Sequence, residues 1–277
     1  MSFYITTDSG CDLADHICKE NDIIALKMPY TIDGQQFTDT MLHEDCKKFY
    51  DKMREDAVPK TSQINPVEFV DFWRPLLDKK IPILHISLGS GISGAYANAL
   101  IAAQMVKDEY PENEILVLDS TLASVGYGIL CLKAAEMRSA GKTVQECFDW
   151  LETNKIHMNT YYTTSELKYL YRSGRVSKAG AVVGTMLNIM PILRLDKYGH
   201  LLVMAKQRGK KATIAKLTEI IQEAVIDPQE QTLYICHSDV FDEAQAFGEG
   251  LKETFGFKDI FYTYIGATIG SHSGPGL

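Results

Sequence analysis

Residues 83–104 read ILHISLGSGISGAYANALIAAQ, and this stretch indicates the fold class. An apolar run ending at Leu88 predicts a buried strand, and a glycine- and serine-rich turn then leads into a helix of small residues. Glycines let backbone N–H groups approach a ligand closely, and a helix start adds free donors and partial positive charge. The stretch therefore predicts a strand-to-helix turn that can hold an anion.

The same alternation of apolar runs and helical patterns continues along the chain. Predicted strands are Phe3–Thr7, Ile23–Met28, Ile81–Leu88, Ile115–Leu118, Asn159–Thr163, Leu193–Asp196, His200–Ala205, Thr232–Cys236 and Ile260–Tyr264. Predicted helices are Asp12–Asn21, His43–Asp56, Pro66–Asp78, Ser93–Glu109, Ala123–Ala140, Thr143–Asn154, Lys210–Ala224 and Phe241–Phe255. Such alternation predicts an α/β fold, with a parallel-rich sheet flanked by helices.

The second half of the chain has a different pattern. Two short strands around residues 192–206 predict a hairpin, with Tyr198-Gly199 near its turn. A hairpin inside an α/β chain indicates a second, mixed-sheet α/β domain. We therefore expect an N-terminal α/β domain at 1–155, which contains the anion-cradling turn, and a C-terminal mixed-sheet domain at 156–277.

Composition excludes several classes of protein. The 277 residues carry a formal net charge of -8, which argues against a nucleic-acid binder because that function needs clustered cations. The N-terminal stretch MSFYITTDSGCDL is not a secretory signal, and no apolar run approaches the roughly 18 residues of a membrane span. The six cysteines form no C-x-x-C pair and the histidines show no metal-ligand spacing. We expect a cytoplasmic protein without a metal or cofactor.

The glycine-rich turn also matches a nucleotide-binding pattern. Gly89, Gly91 and Gly94 spell G-x-G-x-x-G between a predicted strand and a predicted helix, as in dinucleotide-binding enzymes. Asp119 ends the next strand, where a ribose-binding carboxylate would lie. However, it follows Gly89 by 30 residues, which exceeds the usual separation of about 20.

Ser93, in the same turn, has three further interpretations. Residues 91–95 approach the G-x-S-x-G nucleophile elbow, although Ala95 replaces the last glycine; a serine hydrolase or acyltransferase would then use Ser93 with His272. Alternatively, Ser93 hydrogen-bonds a bound carboxylate, or it only caps the helix. Spacing alone leaves all three open.

Two other segments carry polar groups suited to an anion. Thr61 and Ser62 begin TSQINP, a loop that can bind an anion without adding charge, although a capped helix start explains the same residues. His272 lies in IGSHSGPGL, where we interpret it as a residue of a tight glycine-rich turn and a candidate hydrogen-bond donor or acid/base group.

Cationic clusters occur in the second half of the chain. Arg172 and Arg175 lie in YRSGRVS, and Arg208 lies in QRGKK. Guanidinium groups suit an acidic partner or a phosphate, whereas solvated surface charge is the simpler explanation of each cluster alone.

Seven short motifs together resemble the DegV family in order and approximate spacing. They are TTDSGCDL, TSQINPVEF, SGISGAYANA, VLDSTLASVGYG, YRSGRVSKAG, QRGKKA and IGSHSGPG, and they cover nearly the whole chain. The resemblance implies two α/β domains that bind a fatty acid in a tunnel between them. Some members are the binding subunit of bacterial fatty acid kinase, whose separate kinase subunit phosphorylates the bound carboxylate with ATP.

The resemblance also assigns roles to individual residues. It places five of them around the carboxylate: Thr61, Ser62, Ser93, Gly94 and His272. It places three cations near the head group and the partner surface: Arg172, Arg175 and Arg208. The family usually has Thr where this chain has Ala95, so one hydroxyl is lost. Candidates to line an apolar tunnel are Ala95, Ala97, Ala99 and residues 181–193, although ordinary core packing explains most of them.

These expectations combine into one hypothesis and one alternative. The chain is expected to carry a long-chain fatty acid without catalysis of its own and to present the carboxylate to a fatty acid kinase for phospholipid synthesis. Lipid exchange would involve a peripheral membrane contact. The alternative is a serine hydrolase or acyltransferase that uses Ser93 and His272.

Overall fold

The computed structural model describes residues 2–175 and 188–277. Its strands are β1 (Tyr4–Asp8), β2 (Ile23–Leu26), β3 (Pro29–Ile32), β4 (Gln35–Thr38), β5 (Lys60–Thr61), β6 (Ile83–Ser87), β7 (Ile115–Asp119), β8 (Tyr162–Thr163), β9 (Ile189–Leu195), β10 (Leu201–Arg208), β11 (Thr232–His237) and β12 (Asp259–Tyr264). Its helices are α1 (Asp15–Glu20), α2 (His43–Arg54), α3 (Pro66–Leu77), α4 (Ala95–Glu109), α5 (Val125–Ser139), α6 (Val144–Asn154), α7 (Lys168–Arg172), α8 (Lys210–Ala224), α9 (Phe241–Phe255) and α10 (Ala267–Ser273). The predicted α/β class is confirmed.

A parallel four-stranded sheet in the order β2-β1-β6-β7 forms the centre of the N-terminal part. Successive residues of a strand point to opposite faces. Val117 accordingly joins the core beneath α3 and α4, which includes Trp73, while Leu118 joins the core beneath α5 and α6, which includes Tyr127. Helices therefore cover both faces, and ligands of such sheets bind at the carboxyl ends of the strands.

Three smaller sheets surround this centre. Strands β4-β3-β5 and β10-β9-β8 form antiparallel sheets, and β11 pairs with β12 in parallel. The predicted hairpin is confirmed as β9–β10. Its turn packs so closely against the glycine-rich loop that a side chain on Gly91 would clash with the backbone of Tyr198 and Gly199. This contact brings the hairpin to the carboxyl edge of the parallel sheet. The domain boundary near residue 155 remains a prediction.

Several short elements were not predicted. Strands β3 and β4 form a hairpin through Asp33 and Gly34, both with positive φ, and this Asp-Gly pair is a turn signal that the periodicity analysis overlooked. The placement of His272 in a turn was wrong, because it lies in the last turn of α10. Helix α4 begins at Ala95 rather than at Ser93. Within the part of the chain that the structure describes, no helix has the length and apolar character needed to span a bilayer.

Candidate ligand-binding site

A cavity of about 300 Å³ lies where the carboxyl ends of β6 and β7 meet α10 and the β9–β10 hairpin. The loop after β6 contributes Ser93 to its wall, and the loop after β7 contributes Ser124. The position agrees with the general rule for open α/β sheets, and the volume is at the lower end of the range for small-molecule pockets.

The sequence-predicted carboxylate-binding residues meet in this cavity. Three separate segments bring them there: the loop around β5, the turn before α4, and the last turn of α10. The residues that line the cavity include Thr61, Ser62, Ser93, Gly94 and His272. The structure therefore brings together polar groups that lie up to 211 residues apart in the chain.

Local structure explains how Thr61 and Ser62 reach the cavity. Thr61 pairs with Tyr30 of β3, and the backbone N–H of Ser62 donates to the carbonyl of Pro29 at 3.3 Å. The following Asn65 begins α3 with a capping box that includes Glu68. The helix-start interpretation of TSQINP is confirmed, and because its first residues line the cavity, anion binding by the same segment stays a prediction that is compatible with it.

His272 is held by Thr61. Its Nε2 lies 2.9 Å from Oγ1 of Thr61, while its buried Nδ1 has no hydrogen-bond partner among the described residues. Burial, together with the nearby charge of Arg175, lowers the pKa of His272 to about 4, so the ring is neutral at pH 7. A neutral imidazole carries one N–H. Whichever way the hydrogen bond runs, either Nδ1–H or the Thr61 hydroxyl remains free to donate to an anion.

Ser93 has a structural role and a free hydrogen. Its Oγ accepts a hydrogen bond from the backbone N–H of Ala95 at 3.2 Å, which helps to start α4. Accepting this bond leaves the hydroxyl hydrogen available to a ligand. The interpretation of Ser93 as the helix cap was wrong, because Gly94 is the N-cap of α4 and Ser93 instead supports the turn before it. This support is compatible with anion binding. The adjacent Gly94 leaves room for the amide of Gln63, which belongs to the predicted TSQINP segment and also lines the cavity.

The three predicted arginines occupy different places. Arg175 lines the cavity and is partly buried, and its Nη1 donates to the carbonyl of Ser173 at 2.6 Å. Burial lowers the pKa of its guanidinium. Arg172 is exposed, with its guanidinium 5.7 Å from the centre of the Tyr169 ring. Arg208 is exposed at the end of β10, and neither Arg172 nor Arg208 lines the cavity.

Most of the remaining wall is apolar. Met28, Leu88, Ile92, Leu193, Leu201 and Ile269 are among the lining side chains. The suggested alanines do not contribute: Ala95 and Ala99 are packed in the core beneath α3 and α4, and Ala97 is exposed. Their small size suits close helix packing rather than a tunnel. Of the predicted segment 181–193, residues 181–187 lie outside the described residues.

The residues named by the two enzyme alternatives have other hydrogen-bond partners in the structure. The carboxylate of Asp119 accepts hydrogen bonds from the backbone N–H and hydroxyl of Ser90 and from the backbone N–H of Thr121. These bonds stabilise the glycine-rich loop and occupy the carboxylate that a ribose would need. Ser93 and His272, both within the described residues, are not hydrogen-bonded to each other. A nucleophile needs its base within hydrogen-bond reach.

Buried carboxyl groups behind the cavity were not predicted as part of this region. Asp12 accepts hydrogen bonds from Gly266 N at 2.7 Å and from the hydroxyl of Ser124, and Asp39 accepts two from Thr268. Burial raises the pKa of both carboxyl groups, that of Asp12 most strongly. Asp12 belongs to the TTDSGCDL motif, to which the sequence analysis assigned no role. These bonds fix the start of α10.

Comparison with known proteins identifies the family. The DegV family model matches residues 2–277. A DegV domain-containing protein of Clostridium perfringens is 36% identical over 275 residues, which cover 99% of this chain and 94% of that protein. Another, from Lactococcus lactis, is 32% identical over 278 residues, which cover 100% of this chain and 96% of that protein.

Solved structures show the same fold. A DegV lipid-binding protein from Thermotoga maritima superimposes with a TM-score of 0.87 at 26% identity, covering 100% of this chain and 96% of that protein. DegV from Bacillus subtilis, described as a fatty acid binding protein, gives a TM-score of 0.84 at 26% identity with the same coverage. The chain belongs to the DegV family.

Proposed function

We propose that this protein binds one long-chain fatty acid in the cavity, with the carboxylate beside Thr61, Ser93 and His272. The observation that carries the proposal is the convergence of three distant polar segments on a cavity whose walls are otherwise mostly apolar. One charged head group and a long apolar tail match that arrangement. The T. maritima and B. subtilis relatives, described as lipid-binding and fatty-acid-binding, support the same ligand class.

The physical chemistry favours a carboxylic acid over a phosphate chain. Hydroxyl groups and one neutral imidazole line the polar end, and Arg175 supplies a positive charge. Burying the tail contributes about 0.8 kcal/mol per CH₂, so a long chain supplies most of the affinity. The polar groups then determine which end of the ligand faces them.

The direct test is to analyse protein purified from bacterial cells. We expect native mass spectrometry to show one bound ligand, and organic extraction to release a fatty acid in near-stoichiometric amount. A folded, monodisperse preparation that yields no fatty acid, and that takes up none from added oleate, would contradict the proposal. Hydrolysis of acyl esters by the pure protein would instead support the Ser93 hydrolase.

The finer proposal is that the bound carboxylate is presented to a separate kinase, which forms an acyl phosphate with ATP. Arg172 and Arg208 support it, because both are exposed and neither lines the cavity, so they are available to a partner or to a product phosphate. In this proposal the protein acts in the cytoplasm, exchanges lipid through a peripheral membrane contact and serves phospholipid synthesis.

A pair of measurements on each variant separates binding from presentation. Arg208→Ala should keep fatty-acid affinity but lose kinase-dependent acyl phosphate formation, whereas His272→Ala should impair both, because His272 faces the cavity. Arg74→Ala provides a control, since Arg74 is exposed on α3 and pairs with Asp71. Normal acyl phosphate formation by Arg208→Ala would show that the docking role is wrong.

A further inference from the structure

Ser273, the last residue of α10, has an unusual environment. It is 2% exposed and lines the cavity, and its hydroxyl has no hydrogen-bond partner within residues 2–175 and 188–277. The neighbouring Nδ1 of His272 is in the same condition. Two consecutive residues that line the cavity therefore each carry a buried polar atom without a hydrogen-bond partner in the described part of the chain.

A buried hydroxyl without a hydrogen-bond partner lowers the stability of the fold, and a serine near the end of a helix can avoid this. Most buried polar side-chain atoms in proteins have a partner, and leaving one without a partner destabilises the fold. Ser271, two residues earlier on α10, shows the ordinary solution: its hydroxyl donates to the carbonyl of Ala267, four residues back, at 2.7 Å. Ser273 does not make the equivalent bond to Ile269.

Unpartnered buried atoms also occur away from this cavity, at Asp8 and His85, so a missing partner alone does not mark a ligand site. Ser273 differs because it lines the cavity that contains Thr61, Ser93 and His272. A carboxylate accepts hydrogen bonds at two oxygens, with about four lone-pair positions. Donors from Ser93 and from the Thr61–His272 pair leave capacity for another.

We propose that Ser273 is a further head-group residue, whose hydroxyl donates a hydrogen bond to the carboxylate of the bound fatty acid. The inference rests on the proposed function and extends it to a residue outside the set that the family resemblance assigned. Its consequence is selectivity: Ser273 favours an ionised acid over an uncharged lipid of the same length. A hydrogen bond to a charged acceptor is about twice as strong as one between neutral groups.

The test compares palmitic acid with hexadecan-1-ol, by displacement of a fluorescent probe from delipidated protein. Ser273→Ala should raise the Kd for the acid about 10-fold or more, and that for the alcohol by about 3-fold or less. Ser273→Thr, which keeps the hydroxyl, should restore most of the preference for the acid. Ser271→Ala is the matched control, since it removes a buried hydroxyl from the same helix outside the cavity.

Each outcome has one meaning. An equal loss of affinity for acid and alcohol in Ser273→Ala would overturn the inference, because Ser273 would then only shape the wall. Unchanged affinity for both ligands would overturn it as well, while leaving fatty-acid binding intact. Wild-type protein that binds neither ligand would overturn the proposed function, and the role of Ser273 with it.

Discussion

The two ends of helix α10 differ in whether their polar groups have hydrogen-bond partners within the part of the protein that the structure describes. At its start, Gly266 N, Thr268 N and the Thr268 hydroxyl all donate to the carboxyl groups of Asp12 or Asp39, although Thr268 also lines the cavity. At its cavity-facing end, His272 Nδ1 and the Ser273 hydroxyl lack partners among the described residues. The start of the helix is saturated with protein contacts, whereas its end is not.

This difference distinguishes polar residues that stabilise the fold from polar residues that are available to a ligand. A buried network in which the helix donors are paired holds its elements in one arrangement, and removing a member leaves donors unsatisfied. Polar atoms that face a cavity without a protein partner are instead available to a ligand. Substitutions at the start of α10 should therefore act mainly on stability, and substitutions at the cavity should act mainly on affinity.

The largest effect is expected for Asp12→Ala. The substitution leaves Gly266 N–H buried without an acceptor, at a cost of about 1–3 kcal/mol, and leaves the Ser124 hydroxyl with only the weakly accepting sulfur of Cys236 at 3.2 Å. The free energy of unfolding should therefore fall by roughly 2–4 kcal/mol. Urea unfolding followed by circular dichroism measures it. Asp12→Asn should lose less, because the amide oxygen can still accept one bond. An Asp12→Ala variant with wild-type stability would contradict the idea that the contacts at the start of α10 contribute mainly to stability.

An intermediate effect is expected for Ser93→Ala, which tests the cavity. Losing one hydrogen bond to a charged ligand should weaken fatty-acid binding by roughly 1.5–3 kcal/mol. Loss of the hydrogen bond from Ala95 N should also lower stability, by about 1 kcal/mol as for a typical intramolecular hydrogen bond. Calorimetric titration measures the loss of affinity, and urea unfolding of the same samples measures the loss of stability. Unchanged affinity with reduced stability would leave Ser93 only its structural bond to Ala95.

The smallest effect concerns protonation of His272. Its pKa of about 4 in the free protein lies below the ordinary 6.5, and a bound carboxylate should raise it because an adjacent anion favours the imidazolium. NMR titration of the histidine rings with and without ligand measures the change. His237 is a matched control, since burial also lowers its pKa to about 4 and it does not line the cavity. Equal pKa values for His272 in both states would place the carboxylate elsewhere.

The same shifts give stability a pH dependence of known sign. A histidine whose pKa is lower in the folded state binds protons more readily when unfolded. The stability that His272 and His237 contribute is therefore complete above about pH 6.5 and is lost as the pH falls towards 4. The stability lost in His272→Gln relative to the wild type should therefore be larger at pH 7 than at pH 5, a comparison that cancels the opposite trend from the raised pKa values of Asp12 and Asp39.

Sequence patterns were sufficient for most of the fold. Helices α8 and α9 were predicted with the bounds that the structure gives them, because long amphipathic periods between clear breakers are strong local signals. The short strands β3, β4 and β5 were missed, because strands of two to four residues hardly establish a period. Helix α10 was missed for a related reason: four of its seven residues are glycine, serine or threonine, and tertiary contacts outweigh their poor helix propensity.

By itself, the sequence determined the strand-to-helix turn at Gly89–Gly94, the helix caps and the identity of the polar residues, since these depend on neighbours within a few positions. Only the tertiary structure decided that Thr61 meets His272, that the hairpin turn at Gly199 packs against Gly91, and that Ser273 lines the cavity with no hydrogen-bond partner among residues 2–175 and 188–277. The physical reason is that local propensity and periodicity act over one or two helical turns. Contacts between segments 100 or 200 residues apart arise instead from packing of the whole chain.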